Sequence, residues 1–514
     1  MMDASTDLLR EDPFVWALQT AKLAAYCSFC LLPHASKRSL MRCAKCKTMH
    51  YCNSDCQKQD WSEHKNECRR LQRLEQRKAQ GLLDADIGKL SPEFPSDGLR
   101  ILSRLLDKLT KERHRQFNSV GRSYADLMSH QTYIGGSDRW RKDFKDLCVL
   151  YTEFAGPEDA AAFHEMDVLE AFAKLRVNAF GILDSTEIGI GLYLSLSRLN
   201  HSCDPNGRIV YHGKTAVVVP TRQLRFEPPV ELDGICHGYI ENLEARAIRQ
   251  QKLRDLYCFD CACNGCTNTK RNDMMVALCC PRELCNGTVI PPQLPESEEY
   301  GVCDVCHQSM DEDDVSLVSM AQQMYTTVLD TLNTSSTATA AQRLELCQKT
   351  ICVIDGCLHS LNVNRMRVYR AAYEASASLD KWKEAVKYGD QVLKVYRHYL
   401  GEFDPYLVMF AVSLGKAHVN AGSVDRGRDL LLTVYKVYET IFGKHSDKEL
   451  EAVCICEGNG CALIGESSGG IIQLSKDYQM QYWRAYHKSL SYMDFVKQDN
   501  ILVTVGVSVR LTIS

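Results

Sequence analysis

Cysteine pairs dominate the chemistry this sequence can do. Cys27-x2-Cys30, Cys43-x2-Cys46, Cys52-x3-Cys56 and His64-x3-Cys68 follow one another between residues 27 and 68. A Cys-x2-Cys turn lets two thiolates converge on one ion, and an i, i+4 pair puts two ligands on one helix face. Seven thiolates and one imidazole are enough for two tetrahedral zinc sites. An interleaved pairing joins Cys27, Cys30, Cys52 and Cys56 in one site, and Cys43, Cys46, His64 and Cys68 in the other. A sequential pairing satisfies the same spacing. Further along, Cys261-x-Cys263-x2-Cys266 offers three thiolates where a tetrahedron needs four. Cys203, within "SRLNHSCDPN" at 197–206, is the candidate fourth ligand. Cys280-x4-Cys285 with Cys303-x2-Cys306 reads as one more, ribbon-like site, with Cys279 a spectator. Three zinc ions are expected, and a fourth with the ribbon. Each has four protein ligands and no open position, so the metal is structural. Cys347, Cys352, Cys357, Cys454, Cys456 and Cys461 lack paired knuckles and are expected as core residues of helices.

The bulk numbers agree with metal rather than disulfides. The chain has 514 residues with 25 cysteines, well below the ~8–10 % of disulfide scaffolds, and clustered Cys-x2-Cys pairs in a reducing compartment mean zinc more often than disulfides. Its net charge of −4 and 45 % hydrophobic content permit ordinary cores and single out no polyanionic partner. No secretory h-region and no long apolar run are visible, so a soluble, intracellular chain without membrane contact is expected. Residues 37–78 hold twelve Lys/Arg against five Asp/Glu. That stretch reads as a surface for weak DNA or acidic-peptide contact, or as a solvated helical face.

The elements that must position these residues follow from periodicity. "WSEHKNEC" at 61–68 reads as a helix, and 84–170 is mostly helical. "IGIGLYLSL" and "RIVYHGKTAVVVP" flank the polar Asn200-His201-Ser202-Cys203 stretch as sheet. From about 316 the period is helical, with one internal repeat. "WKEAVKYGDQVLKVYRHYLG" at 382–401 overlays "VDRGRDLLLTVYKVYETIFG" at 424–443, and "SLGKAHVNAG" at 413–422 supplies small residues for a close helix crossing. The tail ending "ILVTVGVSVRLTIS" reads as strand-like or disordered.

The finger, with "YC" at 51–52 and "CQKQDWSEHKNEC" at 56–68, resembles a MYND zinc finger. Together with "EAFAKLRVNAFGI", "GIGLYLSLSRLNHSCDPN", "GYIENLEARAIRQQKLRDLYCFDCAC" and "NGC", the chain resembles the SET-and-MYND (SMYD) protein-lysine methyltransferases from about residue 9 to about 450. The resemblance implies an α+β multidomain fold. A residual N-terminal SET strand segment (1–26) precedes the MYND finger (27–68), a helical SET insert (69–170) and the SET core (171–245). A post-SET zinc cluster (246–270), a zinc-ribbon-like insertion (271–315) and a tetratricopeptide-like helical domain (316–450) follow, then an unassigned tail (451–514). It also implies a post-SET zinc through Cys203 and S-adenosylmethionine held by His130, Asn178, Asn200, His201, Tyr239 and Phe259. Tyr239 would be the catalytic tyrosine, with Tyr257 and Phe259 lining a lysine channel.

Two departures carry expectations of their own. The family pattern begins with a Gly-x-Gly strand against the cofactor; "MMDASTDLLREDPFVWAL" lacks it, so weak cofactor binding is expected. Where the family has a Gly-Glu-Glu turn, "RFEPPVELDGICHGY" at 225–239 carries Pro228-Pro229 in a longer run, and a bulge there would shift the Tyr239 hydroxyl. The expected function is S-adenosylmethionine-dependent protein-lysine N-methylation, on histone or other proteins, by a monomer of nucleus and cytoplasm. MYND-type binding of proline-rich peptides goes with it. The alternative is a catalytically weak or inactive zinc-organised scaffold in transcriptional regulation.

Overall fold

In a computed structural model of the protein, the described residues are 8–33, 40–83, 85–111, 121–184, 186–222, 232–292, 300–334, 338–442 and six short strands between 453 and 503. Pro228 and Pro229 lie outside them.

"TAVVVP", the strand Thr215–Pro220, is apolar at successive positions, so both its faces need cover. It is the central strand of an antiparallel sheet, between Leu9–Glu11 and Gly207–His212. Ala216 and Val218 point into the core of the N-terminal body, whereas Val217 and Val219 join the core of the C-terminal helices. A second antiparallel sheet places Glu187–Leu192 between Val15–Leu18 and Ala179–Leu183. Asn200–His201 runs parallel to Cys236–His237, with Asn200 opposite Cys236 and His201 opposite His237.

One long helix, Ser54–Ala79, carries three of the finger's eight ligands, Cys56, His64 and Cys68, into the helical region. Its first turn is capped by Asn53, whose side chain accepts from the Asp55 and Cys56 amides. The boundaries expected at 68/69 and 170/171 fall inside helices Ser54–Ala79 and Glu165–Asn178, whose buried residues continue across both points. The basic stretch on this helix is turned inward in part. Arg70 pairs with Asp107 and Asp159, Arg73 donates to the Ala155 and Phe154 carbonyls, and Arg77 pairs with Glu153. Those three cations are spent on internal packing rather than on an exterior basic face.

The C-terminal region is a stack of antiparallel helices: Glu312–Thr334, Ala340–Cys357, Val363–Ser378, Trp382–Tyr399, Pro405–Asn420 and Val424–Phe442. The sequence repeat maps onto Trp382–Tyr399 and Val424–Phe442, the second helices of successive pairs. At the expected close crossing, a Cβ on Gly427 would come within 2.8 Å of the Gly415 carbonyl oxygen. Cys347 and Cys357 are buried as expected. Cys352 is exposed, because it lies on the outer face of its helix. Cys454 lies on a strand, not a helix; Cys456 and Cys461 are outside the described residues. The strands Val453–Ile455, Ala462–Gly465, Gly470–Leu474 and Met480–Arg484 form an antiparallel meander in chain order. No helix among the described residues is long and apolar enough to cross a membrane.

Candidate active site and metal centres

Four sets of ligand atoms each converge within 4.8 Å: Cys27, Cys30, Cys52 and Cys56; Cys43, Cys46, His64 and Cys68; Cys203, Cys261, Cys263 and Cys266; and Cys280, Cys285, Cys303 and Cys306. Sulfur–sulfur separations are 3.6 Å for Cys30–Cys52, 3.8 Å for Cys43–Cys68, 3.5 Å for Cys203–Cys266 and 3.7 Å for Cys285–Cys303. A zinc tetrahedron with ~2.3 Å bonds has sulfur edges of about 3.8 Å, while a disulfide spans about 2.05 Å. The residues present therefore fit zinc.

The finger is interleaved, and the helix explains why. Cys52 lies just before the helix rather than on it, with Cys56 in the first turn; Cys56 and His64 are eight residues apart, about 12 Å at ~1.5 Å per residue, so Cys56 and the helical pair His64–Cys68 serve separate sites. The hairpin Met41–Arg42/His50–Tyr51 brings Cys43 and Cys46 back over His64 and Cys68. His64 turns Nε2 toward Cys46 Sγ at 3.6 Å and Nδ1 toward Glu67 at 3.3 Å, the usual outer-shell support of a metal-bound imidazole. Cys279 stays outside the ribbon set, as expected.

Cys203 reaches its partners because the 261–266 loop approaches the chain without side-chain bulk. A Cβ on Gly265 would lie 2.9 Å from the Asp204 nitrogen and the Cys203 carbonyl carbon. The Cys203 amide donates to Cys263 Sγ at 3.2 Å. Upstream, the Glu11 carboxylate accepts from the Ser195 and Leu196 amides at 2.9 and 3.0 Å. That capped turn presents Asn200 and His201 to a cavity of about 640 Å³.

All seven side chains singled out for cofactor and catalysis line this one cavity: His130, Asn178, Asn200, His201, Tyr239, Tyr257 and Phe259. They come from five separate stretches of chain. Asn178, at the end of its helix, donates to the Met128 carbonyl at 2.7 Å and fixes the segment that ends in His130. Tyr239 donates its hydroxyl to the Leu199 carbonyl at 2.6 Å, and Tyr257 donates to the Tyr239 carbonyl at 3.3 Å. The two rings lie 4.9 Å apart, and Phe259 stands edge-on to Tyr239 at 6.4 Å. Burial first, then the neighbouring Tyr257, pushes the Tyr239 phenol up to about 12. It is a neutral hydrogen-bond donor at physiological pH, not a base. Burial likewise pushes the His201 imidazole down to about 4 and the His237 imidazole to about 3, so both rings are neutral.

The cavity also takes residues that sequence reasoning missed. Phe180 and His237 stack at 5.5 Å on its wall. Arg208 and Tyr406 close one side, with the guanidinium 4.8 Å from the ring centroid. Arg122 and Glu187 complete its polar lining. His237 was legible as the residue two before Tyr239 in the chain, at the end of the strand Cys236–His237; Tyr406 was not, since it arrives from the C-terminal helices. Aromatic faces, carbonyls and neutral imidazoles, with Glu187 beside Arg122, Arg198 and Arg208, suit a drug-sized molecule that carries both charged and apolar groups.

Residues 26–68 match the MYND finger family, and 443–512 match the VPS11-like N-terminal beta-propeller family. The meander of four strands in that second stretch has the form of a propeller blade. Across most of its length the chain is similar to curated proteins. It is 28% identical over 471 residues to SET domain-containing protein 14 of Caenorhabditis elegans, covering 90% of this chain and 99% of that protein. It is 26% identical over 446 residues to the human histone-lysine N-methyltransferase SMYD3, covering 85% and 88%. It is 25% identical over 465 residues to the Arabidopsis thaliana histone-lysine N-methyltransferase ASHR1, covering 87% and 89%.

Proposed function

We propose that this chain, related along most of its length to the SMYD lysine methyltransferases, is an S-adenosylmethionine-dependent protein-lysine N-methyltransferase braced by four structural zinc ions. One observation carries the reading: seven residues chosen from five stretches of sequence meet on a single cavity, and Tyr239, Tyr257 and Phe259 give it an aromatic wall. His130, Asn178, Asn200, Phe259 and the backbone around His201 would hold S-adenosylmethionine, which would supply an electrophilic methyl group there.

The protein's own residues then have a definite task. A lysine amine has a solution pKa of ~10.4 and must lose its proton, which costs roughly 4 kcal/mol near neutral pH. Tyr239, Tyr257 and Phe259 strip water from the amine, and an apolar site disfavours its charged form. The Tyr239 hydroxyl, held in place by donating to the Leu199 carbonyl, keeps its oxygen lone pairs to orient the incoming amine. Protein substrates, histone or other, reach the cavity past Tyr406, and the MYND finger takes proline-rich peptides. The proposed setting is the nucleus and cytoplasm, as a monomer.

The test is transfer of labelled methyl groups to lysines of histones and of a cell-extract protein library, read by mass spectrometry, beside a calorimetric titration with S-adenosylmethionine. Methyl-lysine products and one cofactor per chain are expected. Absence of cofactor binding in a fully zinc-loaded protein would overturn the reading.

A further inference from the structure

His201 sits between two systems that sequence reasoning treats separately. Its parallel strand pairing puts it opposite His237, and the ladder continues with the Ser202 amide donating to the His237 carbonyl at 3.0 Å. The pairing ends there. Just past the end of the strand Cys236–His237, the Tyr239 amide donates instead to the His201 ring at Nδ1, 3.0 Å away. An amide can only donate, so Nδ1 is the acceptor and, in a neutral ring, the proton belongs to Nε2. Nε2 lies 3.2 Å from Cys203 Sγ, one of the four sulfurs of the third metal centre. That proton therefore points at a zinc thiolate. The ring is also packed against Tyr239 at 5.2 Å and Phe259 at 6.1 Å, so it cannot turn without disturbing the cavity wall.

We propose that His201 is a positioning residue whose imidazole couples the Cys203–Cys261–Cys263–Cys266 zinc centre to Tyr239, giving a hydrogen bond to the thiolate on one side and taking one from the Tyr239 amide on the other. Metal at this centre draws Cys203 Sγ into place, the sulfur fixes the ring, and the ring fixes the backbone from which the Tyr239 hydroxyl projects. Outer-shell partners of this kind change metal affinity or activity by ~10–100-fold when lost. Only the kinetic arm of the test rests on the methyltransferase reading.

Two substitutions separate the two bonds. His201→Asn keeps an acceptor where Nδ1 stood and removes the donor to sulfur. His201→Gln keeps a donor near Nε2 and removes the acceptor. Zinc transfer to a chromogenic chelator is followed for the one equivalent that Cys203→Ala lacks, and protection of the Tyr239 amide is followed by hydrogen exchange. His201→Asn should release that zinc about tenfold faster and leave Tyr239 protected. His201→Gln should hold zinc normally, lose the amide protection and lower kcat about tenfold with KM unchanged. In the unsubstituted protein, nitrogen NMR of the ring should show the Nε2–H tautomer. An Nδ1–H tautomer, or two variants that behave alike in zinc release and amide exchange, would overturn the coupling. An inactive parent chain would count against the methyltransferase reading, while tautomer, zinc release and exchange would still decide the bridge.

Discussion

At the scale of single residues, the proposed methyl transfer turns on Tyr239. Its phenol stays protonated well above neutrality because burial disfavours the phenolate. It therefore works as a fixed donor, and Tyr239→Phe should remove one hydrogen bond without opening a hole. Steady-state kinetics should show kcat and kcat/KM falling together by ~10-fold or more, with calorimetric cofactor affinity little changed. Unchanged turnover would remove the hydroxyl from the mechanism. Tyr239 was marked in the sequence only through the family resemblance, and the structure brings it to the cavity wall beside Tyr257. The duties of the His201 ring were not marked there. They depend on an amide 38 positions away, and neither periodicity nor spacing encodes such a contact.

At the scale of elements, the metal centres behave as separate units tied to different parts of the chain. Spacing gave the sixteen ligands but left the pairing in the finger open; the single helix through Cys56, His64 and Cys68 decides it. Elemental analysis should return four zinc ions per chain, and Cys203→Ala should return three. Because its ligands are distinct from those of residues 27–68, the finger should stay folded in that variant, seen as retained protection of its amides in hydrogen exchange. Loss of two or more zinc ions would show that the centres are coupled. A second element-scale link is Glu67, fully buried one turn from His64. It accepts from Arg100 at 2.7 Å and from Arg104 at 2.6 and 2.9 Å, while the same guanidinium groups donate to the Leu18 and Trp16 carbonyls. Glu67→Gln should cost about 3–5 kcal/mol in denaturant unfolding, since buried Arg100 loses its charged partner and buried Arg104 is left with Asp60 alone, 3.6 Å away. Glu63→Gln, which loosens only the more accessible contact to Lys108, should cost under ~1 kcal/mol. Equal losses would mean that the buried network is not what holds the finger to the sheet.

At the scale of the whole molecule, the C-terminal helices complete the cavity rather than merely stand beside it, and Asp404 is the joint. One of its oxygens caps the helix Pro405–Asn420 by accepting from the Tyr406 amide at 3.0 Å, while the other accepts from Arg208 Nε at 3.1 Å. Arg208 in turn supports the Tyr406 ring over the cavity. The repeat at 382–443 announced stacked helices, but not which end of the stack would meet the sheet. That is settled by long-range bonds such as Phe403 N to the Thr221 carbonyl and Arg271 to the Tyr399 carbonyl. Asp404→Asn separates the two roles, because asparagine caps a helix as well as aspartate does but brings no charge to Arg208. The helix should remain, stability should fall by about 1–3 kcal/mol, and the freed Arg208 should let Tyr406 leave its place. Steady-state assays should then show KM for a protein substrate rising severalfold with kcat nearly constant, and Tyr406→Ala should reproduce that rise with little loss of stability. A kcat change in either variant with KM unmoved would place Tyr406 with the reacting groups instead of the entrance. Unaltered kinetics in both would mean that the substrate reaches Tyr239 by another side of the cavity.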